Sequence, residues 1–274
     1  MVARMLTVLP ALLLAGCGPA QMPEHLQLYV SLKGTDDSTC TERAPCRSLR
    51  RAIDVVPGGA IGIVNVAAGT YEEAPPRPGW PVVPIANVYY HRVVWLVGDC
   101  KHPTTARITK NGNTAFSAQD ETIMAVRCFK IEAADGVTGA IGIAGRQHSI
   151  IDYGDVEFAA LPGGADVDVT EFVIAGCIGP VSITGDAKTH VHASFYSKVN
   201  LGCRHALPAP RDFSDGFAIA AWHSLIDARA ATLAGDGAGA SAGPRCYALK
   251  SDIFAPTPPE SFPGNGPCND GGGN

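Results

Sequence analysis

Residues 129–201 read FKIEAADGVTGAIGIAGRQHSIIDYGDVEFAALPGGADVDVTEFVIAGCIGPVSITGDAKTHVHASFYSKVNL, and this stretch decides the fold. Short apolar triplets recur in it as three interleaved series. The first runs Phe129 to Ile131, Val156 to Phe158 and Val181 to Ile183, at separations of 27 and 25 residues. The second runs Ile141 to Ile143, Val167 to Val169 and Val191 to Ala193, at 26 and 24. The third is Ile150-Ile151, Phe172 to Ile174 and Val199 to Leu201. Three series sharing a pitch near 25 residues fit a three-sided β-solenoid, in which each coil holds three short strands and each strand stacks on its counterpart one coil later. A β-sandwich also gives short strands with a turn about every ten residues, but it leaves the triple series without a cause.

Toward the amino terminus, Leu28 to Ser31 reads as a strand and Gly34-Thr35-Asp36-Asp37-Ser38 as a turn-rich loop. Leu49, Ala52, Ile53 and Val56 then repeat at i, i+3, i+4 and i+7, one face of a short helix with Ser48 as its N-cap. Pro57-Gly58-Gly59 stops it, Ile61 to Val66 alternates as a strand, and Gly69-Thr70-Tyr71 turns the chain. Residues 74–92 are Pro-rich and loop-like, and Val93 to Asp99 reads as a buried strand.

This order of strand, Gly-Asp loop, helix, Pro-Gly-Gly, strand and Gly-Thr-Tyr resembles the leading segment of the pectate-lyase-like right-handed parallel β-helix superfamily. The resemblance implies an all-β, right-handed, single-stranded parallel β-helix with a short N-terminal capping helix, which plugs an edge that would otherwise invite aggregation. Val181 to Gly185 with His190, Phe213 to Ala218, Gly243 to Tyr247 and Phe262 to Asn265 fall in the order seen in short β-helix proteins of phages and prophages, of the tail-fibre or minor structural kind. That likeness implies a phage-derived structural part and predicts trimers.

Composition agrees with a solenoid. Of 274 residues, 31 are Gly and 21 Pro, while only 17 % are charged, too few for the exposed faces of a helical bundle. Disorder is excluded by 46 % hydrophobic residues at a net charge of −5. A pI near 5.9 gives no electrostatic footprint for nucleic acid.

Nine cysteines without any Cys-x-x-Cys spacing point to export, where they pair as disulfides, and the odd one needs a cause. Residues 1–17, MVARMLTVLPALLLAGC, supply it: Arg4, an apolar run too short to span a bilayer, then Leu14-Ala15-Gly16-Cys17. Leu-Ala-Gly-Cys resembles the lipobox of bacterial lipoproteins, which implies acylation at Cys17, and Gly18 after it implies outer-membrane sorting. A plain secretory signal, or a start at Met22, are the alternatives. Sequence proximity suggests Cys40 with Cys46, Cys100 with Cys128, Cys177 with Cys203 and Cys246 with Cys268; free buried thiols are the alternative. The expected organisation is a signal peptide at 1–17, a linker at 18–27, the β-helix at 28–254 with its leading segment at 28–71, and a flexible Gly- and Pro-rich tail at 255–274.

Hydrolysis of a polysaccharide needs two carboxylates across the scissile bond, and β-elimination needs a base, usually with calcium. The weak catalytic candidates are Asp152, Asp155, Asp166, Asp168 and Arg146. Asp166 and Asp168 are two apart and so share a strand face; with Val167 and Val169 inward they are expected on the outer wall, one coil from His190 and His192, the weak binding candidates. Solvated surface residues are the plainer reading of all four. No His-x-x-x-His or His-Glu-x-x-His spacing occurs, so no metal or other cofactor is expected, calcium entering only with a lyase. The expectation is therefore an exported, lipid-anchored β-helix with a non-catalytic role, binding polysaccharide or another surface component. The alternatives are a polysaccharide lyase or glycoside hydrolase acting on an extended acidic polysaccharide, and a phage virion part.

Overall fold

The chain winds through three parallel sheets in fixed rotation. A nine-stranded first wall runs from His25–Val30 to Asp252–Phe254, a seven-stranded second wall from Gly69–Glu72 to Thr232–Ala234, and an eight-stranded third wall from Ala86–Val88 to Gly266–Asp270. The structure, a computed structural model, describes residues 25–72, 84–102, 104–237, 240–256 and 262–270. Cys17 and the signal sequence lie outside them. Among the described residues no helix is long and apolar enough to cross a membrane.

The interleaved triplets are the stacked rungs. Phe158 pairs with Ile131 on one side and Ile183 on the other, forming the second wall. Ile143, Val167 and Val191 are in register in the third. The last series is offset: Ile151, Ala175 and Val199 are the partners, and the strand begins at Ile174, so Phe172 belongs to a corner instead. Inward residues stack in columns, as with Val64, Leu96, Val126 and Tyr153, all buried, and these columns make one narrow core. The strand at Val93–Val97 is half-buried rather than buried, because Trp95 alternates outward and is 44 % exposed.

Between the third and first walls the chain turns through two consecutive left-handed residues in coil after coil: Asp120-Glu121, Gln147-His148, Glu171-Phe172, Phe195-Tyr196 and Trp222-His223, with φ from 51 to 65°. Such a conformation costs a non-glycine residue about 1 kcal/mol or more, and cross-coil hydrogen bonds offset it. The N–H groups of His148, Phe172 and Tyr196 donate to the carbonyls of Glu171, Phe195 and Trp222 at 2.9 to 3.0 Å. Just inside, a serine ladder adds to them: Val173 N donates to Ser197 Oγ, Ser197 N to Ser224 Oγ and Ser224 N to Ser251 Oγ, at 3.1 to 3.2 Å.

After Ser48, whose side chain accepts from Arg51 N, residues Leu49–Asp54 form a helix that buries Leu49, Ala52 and Ile53. Asp36 braces it by accepting from Arg47 N, Ser48 N and Ser48 Oγ.

Three boundaries differ from expectation. The first strand starts at His25, inside the expected linker, because residues 25 to 30 pair in register with 61 to 66. Ala86–Val88 forms a rung within the Pro-rich stretch. Part of the expected flexible tail is a strand: Gly266–Asp270 pairs with Pro244–Leu249, and Phe262 is buried against Phe217. The eight described cysteines pair as proximity suggested, Cys40–Cys46, Cys100–Cys128, Cys177–Cys203 and Cys246–Cys268. The last three span 28, 26 and 22 residues, about one coil each, so they staple neighbouring coils.

Candidate functional site

The outer face of the third wall holds a groove of about 450 Å³. Asp168 and His192 are register partners on adjacent rungs, and Thr170 and Ser194 are the next outward pair. Arg146 leans over them from the coil before, while Lys188 and Asp215 close the other side. Gly164 lets the rungs approach here: a Cβ on it would lie 1.7 Å from the Ala140 carbonyl oxygen.

Asp168 is the hub. Its Oδ1 lies 2.7 Å from His192 Nδ1, and its Oδ2 accepts from Arg146 Nη2 at 2.6 Å. Arg146 is fixed further by donating Nη1 to the carbonyls of Gly145 and Asp168. Burial alone would raise the Asp168 carboxyl, but the His192 hydrogen bond and the Arg146 charge outweigh it and hold the group below the usual carboxylate range. An ionised Asp168 accepts, so His192 Nδ1 donates to it. On the far side Lys188 pairs with Asp215 at 2.8 Å, and Ser194 Oγ donates to Thr170 Oγ1 at 2.9 Å. Each carboxylate of the groove thus already has a cation.

Asp166 and His190 are not on the outer wall. Both are fully buried, with Asp166 Oδ2 2.7 Å from His190 Nδ1. The reason is a register irregularity between Leu161 and Ala165, after which Asp166 and Val167 are consecutive buried residues and strict alternation fails. His190 stacks on Phe217 at 4.7 Å and meets His205 edge-on at 5.3 Å. Burial raises the Asp166 carboxyl well above its ordinary value and lowers both imidazoles to about 3. Asp166 Oδ1, His190 Nε2, His205 Nδ1 and Tyr153 Oη are buried without a partner.

The remaining candidates lie elsewhere. Asp152 is on the first wall, its carboxyl raised by burial, and Asp155 is bound by Arg127 beside a second-wall pocket. Of the sequence candidates, Arg146, Asp168 and His192 come together, and the other carboxylates scatter over two walls and the core. Lys188 and Asp215 were not singled out; the signal for them was a Lys and an Asp at about one coil's separation, flanking the expected wall. Among the described residues, the one set of three metal-type ligands is Cys177, Cys203 and His205, whose ligand atoms lie within 4.8 Å of one another. The Cys177–Cys203 disulfide occupies both sulfurs, so no thiolate is offered. No protein-family model and no curated protein matches this sequence.

Proposed function

We propose that this chain is an exported protein, acylated at Cys17, whose right-handed β-helix presents the third-wall groove to a glycan or another surface component without cleaving it. The observation that carries this reading is the pairing of both groove carboxylates, Asp168 with Arg146 and His192, and Asp215 with Lys188. A hydrolase needs one carboxyl protonated and one free across the bond; a carboxylate held ionised by two donors is a poor acid and an occupied base. The same pairs do suit recognition. They fix polar donors and acceptors along a groove of a size that small-molecule sites commonly have, which a hydroxyl-rich ligand can use. Export is supported by the disulfide staples, which persist in oxidising compartments. The helix at Leu49–Asp54, packed on the first coils, suits a plug for the open amino-terminal end.

His192 supports a second reading. An imidazole oriented by a half-buried carboxylate is the arrangement of a general base, so the groove could serve a lyase, calcium then having to compete with the Asp168 and Asp215 cation pairs.

Purified protein passed over immobilised pectins, alginates and capsular glycans separates the two. Retention without new reducing ends or unsaturated-uronate absorbance, weakened about tenfold or more by Asp168→Asn, is expected. Product formation that Asp168→Asn abolishes would overturn binding in favour of catalysis.

A further inference from the structure

The outward side of the left-handed corner carries a strip of stacked rings. His148, Phe172, Tyr196 and His223 stack face to face, with centroids 4.9, 5.2 and 5.2 Å apart and interplanar angles of 2, 5 and 20°. Phe195 stacks on Trp222 beside them at 6.3 Å. Phe172, Phe195, Tyr196 and Trp222 are 42 to 53 % exposed. Two residues beyond the corner, the register column Ile123, Ile150, Ile174 continues the strip onto the first wall, at 36, 37 and 53 % exposure. Contiguous exposed patches of this kind mark interaction surfaces. Because the rings face one another, the strip offers ring edges and aliphatic groups. A sugar needs an open ring face, so the strip fits an apolar medium better than a glycan.

The register says which medium. Followed toward the amino terminus, the isoleucine column passes through Val93 and Ile61 to His25, the first residue of the first strand. The strand residue nearest in sequence to Cys17 among those described, His25, therefore lies on the line of the strip. Cys17 is eight residues before His25, a reach of at most about 29 Å. With rungs about 4.8 Å apart, Ile123 lies roughly 14 Å and Leu225 roughly 34 Å along the axis from the tether. A rod tied at one end of an apolar edge, by a leash shorter than itself, brings that edge to the bilayer at high effective concentration.

We infer that the aromatic corner rests in the interface of the bilayer that holds the acylated Cys17, so that the solenoid lies along the membrane with its third-wall groove on another side. This rests on the acylation reading. Trp and Tyr favour the interface on their own. Charged groups of both signs border the strip: Asp120, Glu121 and Glu171 at the corner, Lys198 between Ile174 and Leu225 in the register column, and Lys250 5.4 Å over Trp222.

The test uses the acylated full chain with Trp80→Phe and Trp95→Phe, so that Trp222 is the one remaining tryptophan, reconstituted on phosphatidylcholine vesicles brominated near the headgroup. Co-flotation reads the anchor; quenching of Trp222 reads the strip. Flotation with Trp222 emission roughly halved, and restored by Phe172→Ser with Ile174→Ser while flotation persists, is expected. Flotation with Trp222 unquenched overturns the docking and leaves the acylation reading standing. Failure to float overturns both. The Cys17→Ser chain in buffer is expected to be monomeric with Trp222 open to acrylamide; a dimer that shields Trp222 assigns the strip to a second copy and overturns the inference.

Discussion

The buried Asp166–His190 pair and its neighbour His205 make stability peak near pH 6.5. In the native state the pair holds one proton wherever that proton sits, because burial raises the carboxyl and lowers the imidazole to about 3. His205 stays neutral, also down to about 3; its Nε2 lies 3.3 Å from the Leu201 carbonyl. Unfolded, the three groups titrate at their ordinary values of 3.8 and 6.5. Between these the unfolded chain binds two protons and the native chain one, so stability rises with pH by about 1.4 kcal/mol per unit. Above 6.5 the unfolded chain binds none and the native chain one, so the sign reverses and stability falls at the same slope. The depressed His values thus supply stability that is lost as pH falls below 6.5, and the raised Asp value supplies stability that is lost as pH rises.

Two units below the maximum cost about 3 kcal/mol, a large share of ordinary domain stability, and the alkaline limb falls at the same slope for as long as Asp166 keeps its proton. Urea unfolding followed by circular dichroism from pH 4.5 to 8.5, with disulfides intact, reads this directly. Asp168, whose lowered pKa adds stability lost only below the usual carboxylate range, stays silent in that window. Asp166→Asn keeps the shape and removes the proton. It is expected to flatten the alkaline limb and to double the acid slope to about 2.7 kcal/mol per unit. A wild-type profile flat from pH 6.5 to 8.5, or an alkaline slope that survives Asp166→Asn, would refute the shared proton.

The cross-coil disulfides and the groove glycine give two further expectations. Replacing Cys177 and Cys203 together by Ala opens a loop of 26 residues and should lower stability by about 3.5 kcal/mol, read as a lower urea midpoint; an unmoved midpoint contradicts the stapling role. Gly164→Ala drives a methyl into the Ala140 carbonyl and should cost about 2 kcal/mol or more while weakening ligand retention in the groove, and wild-type stability would show that the rungs can part.

The solenoid was legible because each coil repeats the same inward demand. Val167 and Val191 stand one pitch apart in the sequence and are register partners in the third wall. Asp166 was not legible, because counting alternate residues from Val167 presumes a straight strand. The column held the correcting signal, since Asp166 and His190 share it with Gly142, whose added Cβ would strike the Phe158 ring, and with Phe217, which stacks on His190. A column of glycine and phenylalanine faces inward. The corner was half-legible: bulky pairs such as Phe195-Tyr196 and Trp222-His223 recur at the coil pitch, yet propensity assigns such residues to strands, and only the cross-coil hydrogen bonds make left-handed backbone tolerable for them.

The coil-to-coil disulfides also decide how the molecule comes apart under load. A stack in which each coil touches only its neighbours opens from an end, and the opening front advances one coil at a time. A covalent link between consecutive coils arrests that front. Cys246–Cys268 ties the carboxy-terminal rung to the one before it, so peeling from that end is blocked at its first step. Tension delivered through the amino-terminal strand meets Cys100–Cys128 a few coils in, and Cys177–Cys203 beyond that. Pulled from either end, the stack yields chain only between these links, because the stretches closed by Cys100–Cys128, Cys177–Cys203 and Cys246–Cys268 stay looped.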